Sequence, residues 1–163
     1  MNNAVTAHDP VRDFDFIFGR WHIHNRRLVQ RLQGSTEWET FDATSQARPL
    51  PGGIGNYDDF TPVTWRPGFV GMSLRIFNPA TKQWSIYWVD NQTGVLQPPV
   101  VGGFSNGVGL FEGPDEFLGK PILVKFIWSN ITNTSARWEQ AFSTDQGLTW
   151  EKNWVMELVR AED

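Results

Sequence analysis

The chain has no cysteine, and that absence alone removes disulfides, thiolate nucleophiles and thiolate metal sites. Histidine is scarce: only His8, His22 and His24 carry an imidazole. With no histidine later in the chain and no Gly-x-Ser-x-Gly elbow, an acyl-transfer triad has no support. No apolar run approaches the length of a membrane helix, so no membrane partner is expected. Residues 1–10 lack the apolar core of a secretory signal, and a cytoplasmic protein is the expectation. Basic residues are outnumbered, 14 Lys and Arg against 18 Asp and Glu, for a net charge of −4. Nucleic acid is not an expected partner, because phosphate binding needs a basic face.

Large aromatics are abundant: nine Trp and twelve Phe against two Tyr. Indoles are bulky and keep a polar N–H, so they either fill a wide barrel and cap its ends or line a cavity. At 163 residues, with 40% hydrophobic and 20% charged residues, the chain reads as a single globular domain spanning 1–163.

Helical periodicity is nearly missing and period-two alternation dominates. Strands are predicted at 21–32, 38–47, 55–60, 69–78, 83–90, 100–105, 108–112, 121–128, 137–142 and 150–160. Asn106-Gly107 between two of them is a strong hairpin signal. Residues 11–18 are expected to form one or two helical turns that cap one end. The fold class is therefore all-β, an antiparallel up-and-down barrel of about nine to ten strands with a short N-terminal helical turn.

Phe16-Ile17-Phe18-Gly19-Arg20-Trp21 opens the first strand, and Arg160 closes the last. This pattern resembles the calycin superfamily of lipocalins, fatty-acid-binding proteins and nitrobindin-like proteins, and bacterial lipocalin-like proteins with a Phe-x-x-Gly-x-Trp segment. The resemblance implies that the first and last strands meet and that the arginine stacks on the indole. Haem binding of the nitrobindin kind would need a proximal histidine late in the chain, and none follows His24. No metal or other cofactor is expected.

If Trp21 and Arg160 face inward, parity places Ile23, Asn25 and Arg27 inside on the first strand. Trp150, Lys152, Trp154, Met156 and Leu158 are then inside on the last. An interior Arg27 requires an acidic partner or an anionic ligand, unless a bulge flips the register. Trp84, Ile86 and Trp88 facing inward would carry Asp90 to the barrel mouth. There it is a general base, a counter-ion to Arg27 or Arg75, or a cap on the following turn. Trp138, Gln140 and Phe142 read either as an aromatic slot with one amide or as a core strand whose glutamine satisfies a backbone group. Asp58-Asp59 and Asp115-Glu116 read as solvated loop charges. His22 and His24 read as an outward polar stripe. Ser143-Thr144-Asp145-Gln146-Gly147-Leu148-Thr149-Trp150 matches an Asp-box and reads as a stable turn.

The candidate ligand-binding residues are Asn25, Arg27, Arg75, Trp88, Asp90, Trp138, Gln140 and Trp154. The first functional expectation is binding of a small hydrophobic or aromatic ligand, one bearing a carboxylate included, inside the barrel. The alternatives are a cofactor-free cyclase, isomerase or lyase, and a structural protein with a filled interior. An open pocket with an Arg–carboxylate pair favours catalysis, and an open apolar one favours binding. A small-molecule ligand is the expected partner, and a homodimer is compatible with the sequence.

Overall fold

A computed structural model describes residues 7–162 of the chain as a closed antiparallel barrel of ten strands. The strands are β1 (Gly19–Leu28), β2 (Trp38–Pro49), β3 (Gly55–Pro62), β4 (Gly71–Asn78) and β5 (Gln83–Asp90). They continue as β6 (Val100–Ser105), β7 (Val108–Phe117), β8 (Lys120–Ser129), β9 (Ser135–Ser143) and β10 (Glu151–Arg160). Each strand pairs with its neighbours in sequence, and β1 closes on β10, the up-and-down order the turn spacing predicts. Closure pairs every strand on both sides, most loosely around β6, where only Trp84–Ile86 of β5 pair with it.

One end is plugged by two short 3-10 turns, Pro10–Arg12 and Asp15–Ile17. Fixed donors hold the plug. The Trp84 indole donates to the Pro10 carbonyl at 3.1 Å and the Trp21 indole to the Ile17 carbonyl at 2.8 Å. Phe14 is buried edge-on against Trp84 and Phe104. Trp21 and Arg160 are directly paired across the seam, and the guanidinium lies 4.2 Å from the ring centre. The same guanidinium donates to the carbonyls of Phe16, Phe18 and Asn133 at 2.8, 2.6 and 3.0 Å. It ties the plug to the barrel by saturating backbone acceptors that have no strand partner.

Several boundaries and faces differ from expectation. β1 stops at Leu28 rather than 32, and the chain turns through Leu32 and Gly34, both at positive φ. β7 runs on to Phe117, so Asp115 and Glu116 are strand residues paired with Ile122 and Pro121, not loop charges. Beyond Glu112, β7 pairs only with β8, and this edge-like stretch tolerates Pro114. A bulge at Lys152/Trp154 breaks the parity of β10. Lys152 points outward onto Glu139 at 2.6 Å, and Asn153 takes the interior place. Trp150 accordingly belongs to the turn, where its indole donates to the Gly147 carbonyl at 3.1 Å.

Two turns form as their sequences dictate. Asn106 and Gly107 take φ of 52° and 76°, the paired positive values of a type I′ hairpin. In the Asp-box, Asp145 accepts from the Thr149 amide at 2.9 Å and from the hydroxyls of Thr149 and Ser143. Those bonds, the Thr149 hydroxyl first, hold its carboxyl down at about 2.

Candidate functional site

A barrel of ten strands encloses more space than its inward side chains fill. The remainder is a cavity of about 330 Å³, at the small end of ligand-binding pockets. It opens at the end opposite the plug, among the loops 29–37, 63–70 and 91–99. Its middle is aromatic, walled by Phe60, Trp88, Phe126, Trp138, Phe142 and Trp154.

Of the eight residues predicted to contact a ligand, Arg27, Arg75, Trp88, Asp90, Trp138, Gln140 and Trp154 all line this one space. Asn25 does not. It is fully buried and accepts a hydrogen bond from the Trp154 indole at 3.0 Å, which fixes that ring against the cavity. Asp90 reaches the mouth but acts as a turn cap, one carboxylate oxygen accepting from the amides of Gln92 and Thr93 at 2.9 Å each. It is the counter-ion of neither arginine. Gln140 donates to the Asn153 side chain at 2.9 Å, a partner that the bulge supplies.

Three arginines crowd one side of the mouth. Parity along β1 holds without a bulge, and the Arg27 side chain is 7% exposed. Its guanidinium packs beside two indoles that meet edge-on, 5.5 Å from Trp65 and 5.1 Å from Trp154. The acidic partner that an interior arginine requires is Glu39, at a long 3.3 Å, and the same Glu39 oxygen also accepts from the Trp65 indole at 3.2 Å. The Arg27 Nε has no partner. Arg31 packs on Phe117 and Phe142 at 4.7 and 5.3 Å, and Arg66 on Trp65 at 4.2 Å. Among the described residues, no carboxylate forms a salt bridge with Arg31 or Arg66. Burial, then the charges of Arg27 and Arg66, lowers the Arg31 pKa to about 10. Burial and Arg66 likewise lower that of Arg27, against the opposing pull of Glu39. Cation–π stacking offsets part of the desolvation, and Glu39 and Glu151 offset part of the charge of Arg27 and Arg31. The acidic residues that line the mouth, Asp90, Asp115 and Glu116, stand on β5 and β7, each four strands from β1 around the ring.

At the plugged end the floor is a buried ion pair. Arg75 is 4% exposed and donates to Asp58 at 2.7 Å and to Asn56 at 2.9 Å, while its Nε has no partner. Asp58 also accepts from the Ser73 amide at 3.2 Å. This corrects the reading of Asp58 as a solvated loop charge. Asn56, Asp58 and Phe60 alternate along β3 on its inward face. Asp59 faces the other way and accepts from the Gln46 amide and the Thr61 hydroxyl at 2.8 and 2.6 Å.

Sequence reasoning missed Asp58, Ser45, Ser73, Arg31, Arg66 and Trp65, all of which line the cavity. Parity carried back from Phe60 over Asp58 would have found the first of them. Arg31, Arg66 and Trp65 sit in loops, where no periodic signal exists. His22 and His24 point outward, and His24 contacts Asp42 at 2.9 Å. No protein-family model matches the chain, and no curated protein matches it either.

Proposed function

We propose that the barrel binds a small hydrophobic or aromatic carboxylate inside its cavity, with the carboxylate at the mouth. The observation that carries this reading is Arg27, buried against Trp65 and Trp154 with one guanidinium nitrogen unpaired, beside Arg31 and Arg66 at the entrance to an aromatic space. A carboxylate accepts two parallel N–H bonds from a guanidinium, and the aromatic wall takes the apolar body. The calycin resemblance of Gly19, Trp21 and Arg160 is consistent with such a ligand, although fold analogy does not choose a function.

The second reading, a cofactor-free cyclase, isomerase or lyase, is favoured by the Arg75–Asp58 pair in the cavity wall. It ranks below binding because it needs a reaction as well as a site. Calorimetric titration with 2-naphthoate and with medium-chain fatty acids tests the first reading. Saturable binding weakened about tenfold by Trp138→Ala supports it, the scale expected for losing one large aromatic contact. No saturable binding of any carboxylate in the panel ends it. Turnover of a bound carboxylate, lost in Asp58→Asn while binding persists, would promote the second reading.

A further inference from the structure

We infer that the ligand is two-ended: a carboxylate held by the mouth arginines and, at its far end, a neutral hydroxyl held on the cavity floor by Asp58, Arg75 and Ser73. This rests on the proposed binding of a carboxylate and adds the chemistry of the other end.

The two poles of the cavity have different electrostatic character. At the mouth, Arg31 and Arg66 form no salt bridge among the described residues, and Arg27 shares one glutamate oxygen with an indole. That side carries surplus positive charge and suits an anion. On the floor the charges already cancel. Both terminal nitrogens of Arg75 are engaged, one on Asp58 and one on Asn56. A second carboxylate there would face the Asp58 charge at close range in a buried site, and an ammonium would face Arg75.

The floor nevertheless has polar capacity left over. The Arg75 Nε is a buried donor without an acceptor. A carboxylate offers about four acceptor sites, and Asp58 uses two, for the Ser73 amide and for Arg75. Ser73 is the cross-strand partner of Asp58, and the side chains of Ser45 and Ser73 both line the cavity. What remains is at least one donor and one acceptor with no net charge. A hydroxyl matches that set, since it donates to the carboxylate and accepts from a guanidinium or serine. Between the poles the wall is aromatic, so the connecting body is an apolar ring or chain. The substrate class is a hydroxy-substituted aromatic or aliphatic carboxylic acid whose two polar groups stand at opposite ends.

Three matched compounds test this: 6-hydroxy-2-naphthoate, 2-naphthoate and 2-naphthol, each titrated calorimetrically into the full chain. The expected result is that the hydroxy acid binds about tenfold or more tightly than 2-naphthoate, the scale of one hydrogen bond to a charged group. In Asp58→Asn that advantage, taken as the ratio of the two acids' affinities in the same variant, falls to less than about threefold. If near-ultraviolet dichroism shows that Asp58→Asn has lost its fold, Ser73→Ala is read in its place, again for a reduced ratio of hydroxy-acid to 2-naphthoate affinity. Equal affinity of the hydroxy acid and 2-naphthoate in the wild type overturns the two-ended ligand and leaves the carboxylate reading standing. A hydroxyl advantage untouched in every folded floor variant overturns it equally. Failure of both naphthoates to bind overturns the carboxylate reading and this inference together.

Discussion

Trp88 lays its six-membered ring where a side chain on Gly71 would have to stand: a Cβ there would come within 2.1 Å of the ring. Gly71 is paired with Asp90 on β5, two residues along the strand pair from the Ser73–Trp88 pairing. The missing side chain is therefore what lets this indole lie flat against the barrel wall and leaves the cavity open. Gly71→Ala is expected to push the Trp88 ring into the cavity. It should destabilise the fold by about 1–3 kcal/mol, as overpacking does, and weaken 2-naphthoate binding. Urea denaturation and calorimetry check both effects. An unchanged midpoint and affinity would show that Trp88 moves without consequence.

The Arg160–Trp21 contact lies on the closing seam and ties the plug to it. Trp21→Ala removes a side chain that is 1% exposed and should cost about 3–5 kcal/mol. Arg160→Met keeps much of the packing but leaves the carbonyls of Phe16, Phe18 and Asn133 without their donor. About 1–3 kcal/mol is expected for that loss. Urea midpoints of the two variants measure the indole and the tie separately. If Arg160→Met matches the wild type, the plug is held by its aromatic packing alone.

Asp145 gives a pH prediction with a defined sign. Its folded-state carboxyl is held at about 2, below the ordinary value of 3.8, by Thr149 and Ser143. A depressed acid stabilises the fold above the unfolded value, and that contribution fades as the pH falls from about 4 toward about 2. Asp145→Asn lacks the charge and has nothing to lose there. The gap in thermal midpoint between wild type and variant is expected to be widest above pH 4 and to close near pH 2. A gap that stays constant across that window would assign the turn's stability to shape rather than to the carboxylate.

The barrel was legible because its physics is periodic. Alternation with short turns placed all ten strands in order, and the Trp21–Arg160 bookends located the seam. Parity anchored at Trp21 and Arg160 propagates along β1 and β10 without further information, and it put Arg27 and Trp154 on the inward face, where both line the cavity. What the sequence hid was aperiodic. The bulge at Lys152/Trp154 exchanged Asn153 for Lys152 inside the barrel, and nothing local in the sequence announces it. Asp58 was obscured by its neighbour: two adjacent aspartates read as one solvated pair, although a strand must send them to opposite faces. Arg31 and Arg66 reach the mouth from loops, where position depends on tertiary packing against Phe117, Phe142 and Trp65.

Arg31 should show a conflict between stability and binding. Its charge is desolvated and lies near Arg27 and Arg66, which lowers its pKa to about 10, well below the ordinary guanidinium value. Between the lowered and the ordinary value the unfolded chain holds more protons, so stability rises with pH there, and at neutral pH the charged form carries the full penalty. Arg31→Met keeps a long apolar stem against Phe117 and Phe142 and removes the charge. The ligand-free variant is expected to be more stable than the wild type by about 0.5–1 kcal/mol, the range typical of relieving a functional site. It should bind 2-naphthoate about tenfold less tightly, as expected for losing a charge-assisted contact. Thermal midpoints with and without ligand read both effects in one experiment: the variant melts higher when empty and gains less on adding 2-naphthoate. A variant that melts lower when empty would mean that Arg31 serves packing first. An undiminished gain on adding ligand would move the anion site to Arg27 and Arg66.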